Sequence, residues 1–517
     1  MARYREYSYD QSLMVPISLA AQLQPGTFEY TMNYLVDHEI DLTVFEDRYH
    51  NDETGAPAYD PAVLLKVILF AYSRGITSSR RIAQACEENV VFMALSADTH
   101  PHFTTIADFI AQMDREIASV FTDVLSVCYT EGLIGKTMFA VDGCRISSNC
   151  SKEWSGTRAE LQKKAKKIEE SIERLLARHR ETDRSEPESI HDSDTQKAVE
   201  RLQAKAAKVR EFLETNEERM GTQGKAVKSN ITDNESAKMP SSHGLIQGYN
   251  GIATVDEKHQ VIVDAQAFGE GHEAQHVSEV LDSVERQFKL LDEELNIYDE
   301  IVLTADTGFN SEASSKTVLD RGIDAYFADP QFRKRDPRFA NQQKHRAKSV
   351  DRWGTTRTRK YFAAADFHFD EDGTLICPNG KPMRRSSTPY VYPEKGYTGW
   401  EYYGYAEHCG PCPLRSKCIR AKKRQIRRIK ILDSAPTAMQ RMIERFDSER
   451  GRRFYNKRMG TVEPVFGNIR HNFKLDRFSF RGRTKVDTQW KLFCLVHNIG
   501  KLSCHASLKP RIAERRG

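Results

Sequence analysis

Residues Thr137-Met-Phe-Ala-Val-Asp142-Gly143 are a short apolar run that ends on a carboxylate. A run of that length closed by a turn residue has the pattern of a buried strand. Outward from it, similar runs stand at Gly244–Val255, Gln260–Phe268, Glu300–Ala305 and Ile323–Ala328. Helical spacing lies between them at Ala274–Leu291 and Ser311–Arg321. Three strands in succession, then helix, strand, helix, strand, predict an α/β fold with a mixed sheet.

Upstream, residues 16 to about 125 read as helical, in the stretches Phe28–Val36, Pro61–Ser73, Ser79–Cys86, Asn89–Leu95 and Thr105–Cys128. The first hundred residues carry 14 acids and 7 basic residues, so this module is read equally as a DNA contact or as a packing or dimerisation unit. Two segments interrupt the α/β pattern. In Thr157–Met220, Leu161, Ala165, Ile168, Ile172 and Leu175 recur at heptad spacing, as do Val199, Leu202, Ala206, Val209 and Leu213. Two antiparallel helices in a coiled-coil-like hairpin follow, serving as a spacer or oligomerisation arm rather than in catalysis. The second segment, from about Pro330 to Asp433, is rich in Arg, Lys, Tyr and Gly. Beyond it, Ala435–Arg458, Pro464–Asn472 and an apolar stretch Val486–Leu502 read as helices, the last packing on the core.

A chain of 517 residues is long enough for roughly three domains. The pattern gives an N-terminal helical domain (1–130), the first parts of the α/β core (131–156 and 221–330), the hairpin insertion (157–220), a basic cysteine-containing insertion (331–434) and the C-terminal part of the core (435–517). The longest apolar run, Ala62–Tyr72, contains Lys66 and is too short to span a bilayer. Met1–Met14 has no apolar signal-peptide core. A cytoplasmic protein is expected.

Net charge is +4, but residues 331–517 hold 43 Lys+Arg against 17 Asp+Glu, a balance of +26, and the rest of the chain stands at −22. That asymmetry points to a polyanion, nucleic acid above all, as partner of the C-terminal part. Of the ten cysteines, Cys377, Cys409, Cys412 and Cys418 fall in one segment. In a reducing compartment this spacing, with a Cys409-Gly-Pro-Cys412 knuckle, suits a structural zinc ion, against the alternative of unliganded cysteines. Lys422, Lys423, Arg424, Arg427 and Arg428 follow directly. Basic groups near aromatics suit DNA phosphates, although a solvated basic face would read the same way.

Three acids carry the chemistry. Asp142 ends the first strand-like run and Asp306 ends another, in Leu303-Thr-Ala-Asp306-Thr-Gly-Phe309. Taken singly, each reads as well as a turn or cap residue. The third, Glu463, lies in Tyr455-Asn-Lys-Arg458-Met-Gly-Thr-Val-Glu463-Pro-Val-Phe-Gly-Asn-Ile-Arg470, with no other acid after Gly451 in that stretch. A surface ion pair explains such an isolated acid poorly, because exposed pairs contribute little. A metal ligand beside a phosphate-binding face explains both it and its basic neighbours.

These motifs, with Arg477-Phe and Arg481-Gly, resemble those of the bacterial insertion-sequence DDE transposases that carry the Y-R-E signature. Four residues separate Arg458 from Glu463 here, against three in the usual signature. The resemblance implies an RNase H-like core in which Asp142, Asp306 and Glu463 hold two Mg²⁺ ions, with Mn²⁺ a possible substitute. It also implies metal-dependent cleavage and strand transfer on double-stranded DNA at element ends, by a homodimer in the synaptic complex. Tyr455, Arg458 and Arg470 would position the DNA backbone, and cleavage through a hairpin intermediate is a possible route. The competing reading is a catalytically inactive or domesticated DNA-binding protein derived from such an enzyme.

Overall fold

The computed structural model describes residues 16–49, 57–185, 192–221, 224–241, 244–336, 338, 361–362, 364–392, 397–419, 424–432 and 437–506. Its principal helices and strands are numbered here in chain order. Six helices come first: α1 (Phe28–His38), α2 (Pro61–Ser73), α3 (Ser79–Glu88), α4 (Val90–Leu95), α5 (Phe103–Gln112) and α6 (Asp114–Thr130). Then come β1 (Met138–Ser147), α7 (Arg158–Ser185), α8 (Asp192–Thr215), β2 (Ala237–Ser241), β3 (Gly244–Asp256), β4 (Ile262–Phe268) and α9 (Val277–Leu291). The remainder holds β5 (Val302–Ala305), α10 (Glu312–Asp320), β6 (Ala325–Phe327), β7 (His368–Phe369), β8 (Leu375–Ile376), β9 (Pro382–Arg385), β10 (Tyr390–Tyr392), β11 (Tyr397–Tyr403), β12 (Arg428–Leu432), α11 (Thr437–Asp447), α12 (Glu449–Gly467) and α13 (Arg483–His505). The architecture is mixed α/β. The chain forms two compact units, one from Met1–Glu273, Glu279–Ile301 and Arg458–Gly517, the other from Ala274–Ser278 and Val302–Lys457.

In the first unit β3 pairs antiparallel with β1, β2 and β4. The β1 register runs from Phe139↔Asp256 through Asp142↔Ala253 to Ser147↔Gly248. Asp142 therefore lies within the strand and not at its end. The apolar run read from sequence stops at Asp142, but Cys144 and Ile146 continue the alternation as buried residues, and period 2 carries the strand on.

Helix α13 completes this unit's core. It packs on α1, α2, α5, α6 and β4. Trp490 is fully buried, its Nε1 donates to the Ile252 carbonyl at 3.0 Å, and its ring stacks on Phe466. Gly251 is needed beneath it, since a Cβ there would stand 3.1 Å from the indole. Tyr72 of α2 accepts from Gln489 and meets Phe493, so the N-terminal helices share one core with the C-terminal helix. Helix α2 begins with Pro61 at its first position and Asp60 capping the Ala62 N–H at 2.8 Å, an arrangement that stabilises a start. The stretch read as one helix over Thr105–Cys128 is two, broken at Met113.

Helices α7 and α8 pack on each other. Leu161, Ala165 and Val209 are buried together, with Trp154, Phe212, Leu213 and Ile231 against them. Farther out, Arg210 donates twice to Glu169, at 2.6 and 2.8 Å. The basal contacts involve Trp154 and Ile231, outside the helices, whereas the contact farther out is between the two helices themselves, Arg210 on Glu169. Replacing residues 168–205 by a short linker is expected to leave a single cooperative melt within a few degrees of the parent, followed by circular dichroism. Loss of all soluble protein would place the distal arm within the folding core.

In the second unit β5 and β6 pair in parallel, Leu303↔Ala325 to Ala305↔Phe327, joined through α10, whose start carries a Ser311/Ser314 capping box. A second sheet has the order β10-β11-β9-β8-β7, with β12 also on β11. Phe367, Leu375, Met383, Tyr402 and Ile429 form its small core, in a segment whose composition promised little core at all.

Candidate active site

Position 142 is held from both sides of its strand. Asp142 Oδ1 accepts the N–H of Gly143 at 2.9 Å, and Oδ2 faces Arg458 Nη2 at 2.9 Å. The two side chains are only 22 % and 8 % exposed. Gly143 has no room for a side chain. A Cβ would stand 2.8 Å from Asn250 Oδ1 and 2.9 Å from Glu273 Oε1. Asn250 and Glu273, both buried and hydrogen-bonded at 3.2 Å, are site neighbours that sequence reading missed. The glycine after the aspartate is the only trace they leave.

Cys144 shares a strand face with Asp142 by the alternation of β1. Burial pushes its thiol pKa up, while the charge of Arg470 pulls it down. Arg470 thus stands beside the strand face that carries Asp142. The far end of β1 is braced by the Arg477/Arg481 motif. Phe478 N–H donates to Ser147 O at 2.9 Å, Arg477 Nε donates to Ser148 O at 2.9 Å, and Arg481 Nε donates to Asn149 O.

Arg458 and Glu463 are both on α12, which the sequence had suggested is broken between Arg458 and Pro464. The helix runs through Pro464 to Gly467 and continues as a π turn over Asn468–Asn472. A proline inside a helix leaves the carbonyl four residues back without its donor. That carbonyl, Gly460 O, accepts instead from Gln260 Nε2 at 2.9 Å. Gln260 sits in the β3–β4 turn at φ +61°. His497 steadies the same turn by donating from Nε2 to Gln260 O at 2.9 Å while Nδ1 accepts from Asn468 at 3.1 Å. Burial holds His497 down at about 4, so it is neutral and its tautomer is fixed by these partners.

Five residues along a helix amount to about 140° of rotation. Arg458 accordingly lies on the buried face and Glu463 on an exposed one. The structure brings Asp142 and Arg458 together and leaves Glu463 pointing elsewhere from the same helix. In the second unit Asp306 directly follows β5, half-buried, its Oδ1 accepting the Gly308 N–H at 2.8 Å. Tyr455 packs edge-on between Phe446 and Phe332, at 4.8 and 5.4 Å.

Arg428 is exposed and lies over the Tyr403 ring. Arg424 is also exposed. Arg427 instead donates to Cys418 O at 2.8 Å and Phe362 O at 3.0 Å, which makes it a strut of the cysteine segment. Lys422 and Lys423 lie outside the described residues. Cys377, Cys409, Cys412 and Cys418 line one small pocket with Met383, Tyr405 and Arg415. Burial pushes the Cys418 thiol up, Arg427 opposes this, and the three other cysteines add to the rise.

Among the described residues no group of three or more His, Cys, Asp or Glu is placed to hold a metal ion. The donor chemistry of the acids nevertheless suits a hard divalent cation. At Asp142 a stand-in cation, the Arg458 guanidinium, is already held against a carboxylate on a rigid strand. The four thiols likewise supply a zinc-type donor set, gathered round a pocket without being drawn into a ligand sphere. No helix among the described residues is long and apolar enough to cross a membrane.

No curated protein matches the chain. Residues 376–503 match the family described as Transposase DDE domain, a span that takes in the four grouped cysteines, Glu463 and Arg470. Residues 17–112 match a second family, described as Transposase domain (DUF772), which covers α1 to α5. Both spans thus match transposase families, which supports an insertion-sequence DDE transposase.

Proposed function

We propose that this transposase cleaves DNA strands at the ends of an insertion sequence and joins them to a target. Asp142, Asp306 and Glu463 serve as its acids in an RNase H-like core, and Tyr455, Arg458 and Glu463 correspond to the Y-R-E signature. The observation that carries this reading is the pairing of Asp142, fixed on β1, with a cation from the helix that bears Glu463. Families of this kind use divalent metal ions. Asp142, Asp306 and Glu463 would hold two magnesium ions, which when bound activate the attacking hydroxyl and stabilise the leaving oxygen. Arg470, beside the Asp142 strand face, and exposed Arg424 and Arg428 contribute phosphate contacts in bidentate fashion. Tyr455 contributes through its hydroxyl, its ring being committed to packing. A synaptic homodimer is the working assembly. The test is nicking of duplexes carrying the element's terminal sequences in Mg²⁺. Failure of pure, folded protein to nick any such duplex would favour a DNA-binding derivative.

A structural zinc ion in the four-cysteine pocket is part of the same proposal. Burial pushes the Cys418 thiol up and the three cysteines beside it add to the rise, which a divalent cation would relieve by stabilising the thiolate. Elemental analysis is expected to give about one zinc per chain, lost in Cys412→Ser. Zinc-free protein with a normally folded insertion would refute it.

A further inference from the structure

We infer that Arg458 is the resident counter-cation of Asp142, and that a divalent ion binds there only by taking the carboxylate from it. Arg458 is not a surface residue reaching inward. It occupies the buried face of α12 with Val462 and Val465, continued by Ile469 of the π turn, at steps of four, three and four. Its Nη2 meets Asp142 Oδ2 at 2.9 Å. Its Nε is buried and has no hydrogen-bond partner among the described residues, so the Asp142 carboxylate is what compensates the desolvated charge. An ion pair of this kind is costly to break from one side, because the group left behind is a buried charge.

A magnesium or manganese ion on the same carboxylate would sit about 2 Å from its oxygen. That would put two cations on one small anion. The guanidinium must withdraw, and the work of withdrawing it is subtracted from the affinity of the metal. Arg458 therefore sets a threshold for loading the site and steadies the strand while no metal is present. This inference rests on the proposed role of Asp142 as a metal ligand, and assigns Arg458 a positioning role distinct from a phosphate contact.

The test is Mn²⁺ binding to the full chain without DNA, by calorimetry, for the wild type, Arg458→Gln, Arg458→Lys and Asp142→Asn. Arg458→Gln is expected to bind Mn²⁺ about tenfold more tightly, within the usual range of coupling between two ligands of one site. Arg458→Lys, which keeps the charge, is expected to stay near wild type and guards against a folding defect in the glutamine variant. Asp142→Asn is expected to lose this site. If Asp142→Asn abolishes binding but Arg458→Gln leaves affinity unchanged or weaker, the inference is overturned and the metal reading stands. If Asp142→Asn binds as the wild type does, both fall.

Discussion

Glu463→Gln is expected to bind element-end DNA as the wild type does and to cleave it several orders of magnitude more slowly. The substitution keeps size and most hydrogen-bonding capacity and removes only the charge. Glu463 is exposed on α12, so the change costs little stability. Binding draws on the +26 segment, whose phosphate contacts the substitution does not touch. The loss falls on cleavage because activation of the nucleophile and stabilisation of the leaving oxygen depend on the acids together. Adding Asp306→Asn should therefore make matters little worse, as for groups that act as a unit. Single-turnover cleavage beside a gel-shift assay separates the two effects. Near-normal cleavage by Glu463→Gln in Mg²⁺ would remove Glu463 from the catalytic set, and Asp476→Asn is the control that should tolerate the change. Asp142→Asn differs from the other two in one respect. It leaves the buried Arg458 facing a neutral partner, so a drop in melting temperature is expected alongside the loss of cleavage.

The second large effect concerns folding. Trp490→Ala is expected to destabilise the first unit by roughly 3–5 kcal/mol, the usual cost of emptying a large aromatic site. It also removes the Nε1–H bond to the Ile252 carbonyl and opens space over Gly251. Domains have only about 5–15 kcal/mol in total, so a large part of the margin would go. A urea midpoint shifted down with unchanged slope would show it. Trp490→Phe should recover much of the loss. A midpoint unmoved by Trp490→Ala would mean that α13 is not integral to the core.

The alternating and apolar runs made the α/β character legible, because strand and helix periods are written locally. Helix α13 was legible for the same reason, as an apolar stretch that had to be covered. What could not be read was where a pattern continues past a polar residue. Asp142 looked like a terminus because one carboxylate interrupts the run, yet pairing with β3 carries the strand to Ser147. Pro464 looked like a break because proline lacks a donor. The helix survives because a side chain 200 positions earlier supplies one. Isolation and context single out the three acids as candidates, but they say nothing of the partners those side chains meet. Nothing local marks Arg458 as facing Asp142 or Arg427 as a strut, since three-dimensional contact decides which arginine of a basic segment is spent internally.

The closure of the first unit by α13 has a consequence for how the protein is made. The Ile262 N–H is capped by Asn498, 236 residues farther along. At a synthesis rate of about 5–20 residues per second, the strands wait on the order of 10–50 s for the element that covers them. Throughout that interval the nascent chain presents a sheet with one apolar side bare, the condition in which unfinished β-structure is most prone to aggregate. Ribosomes that stall or terminate early would release a sticky fragment rather than a weakened enzyme. Active protein is thus drawn only from chains synthesised past α13.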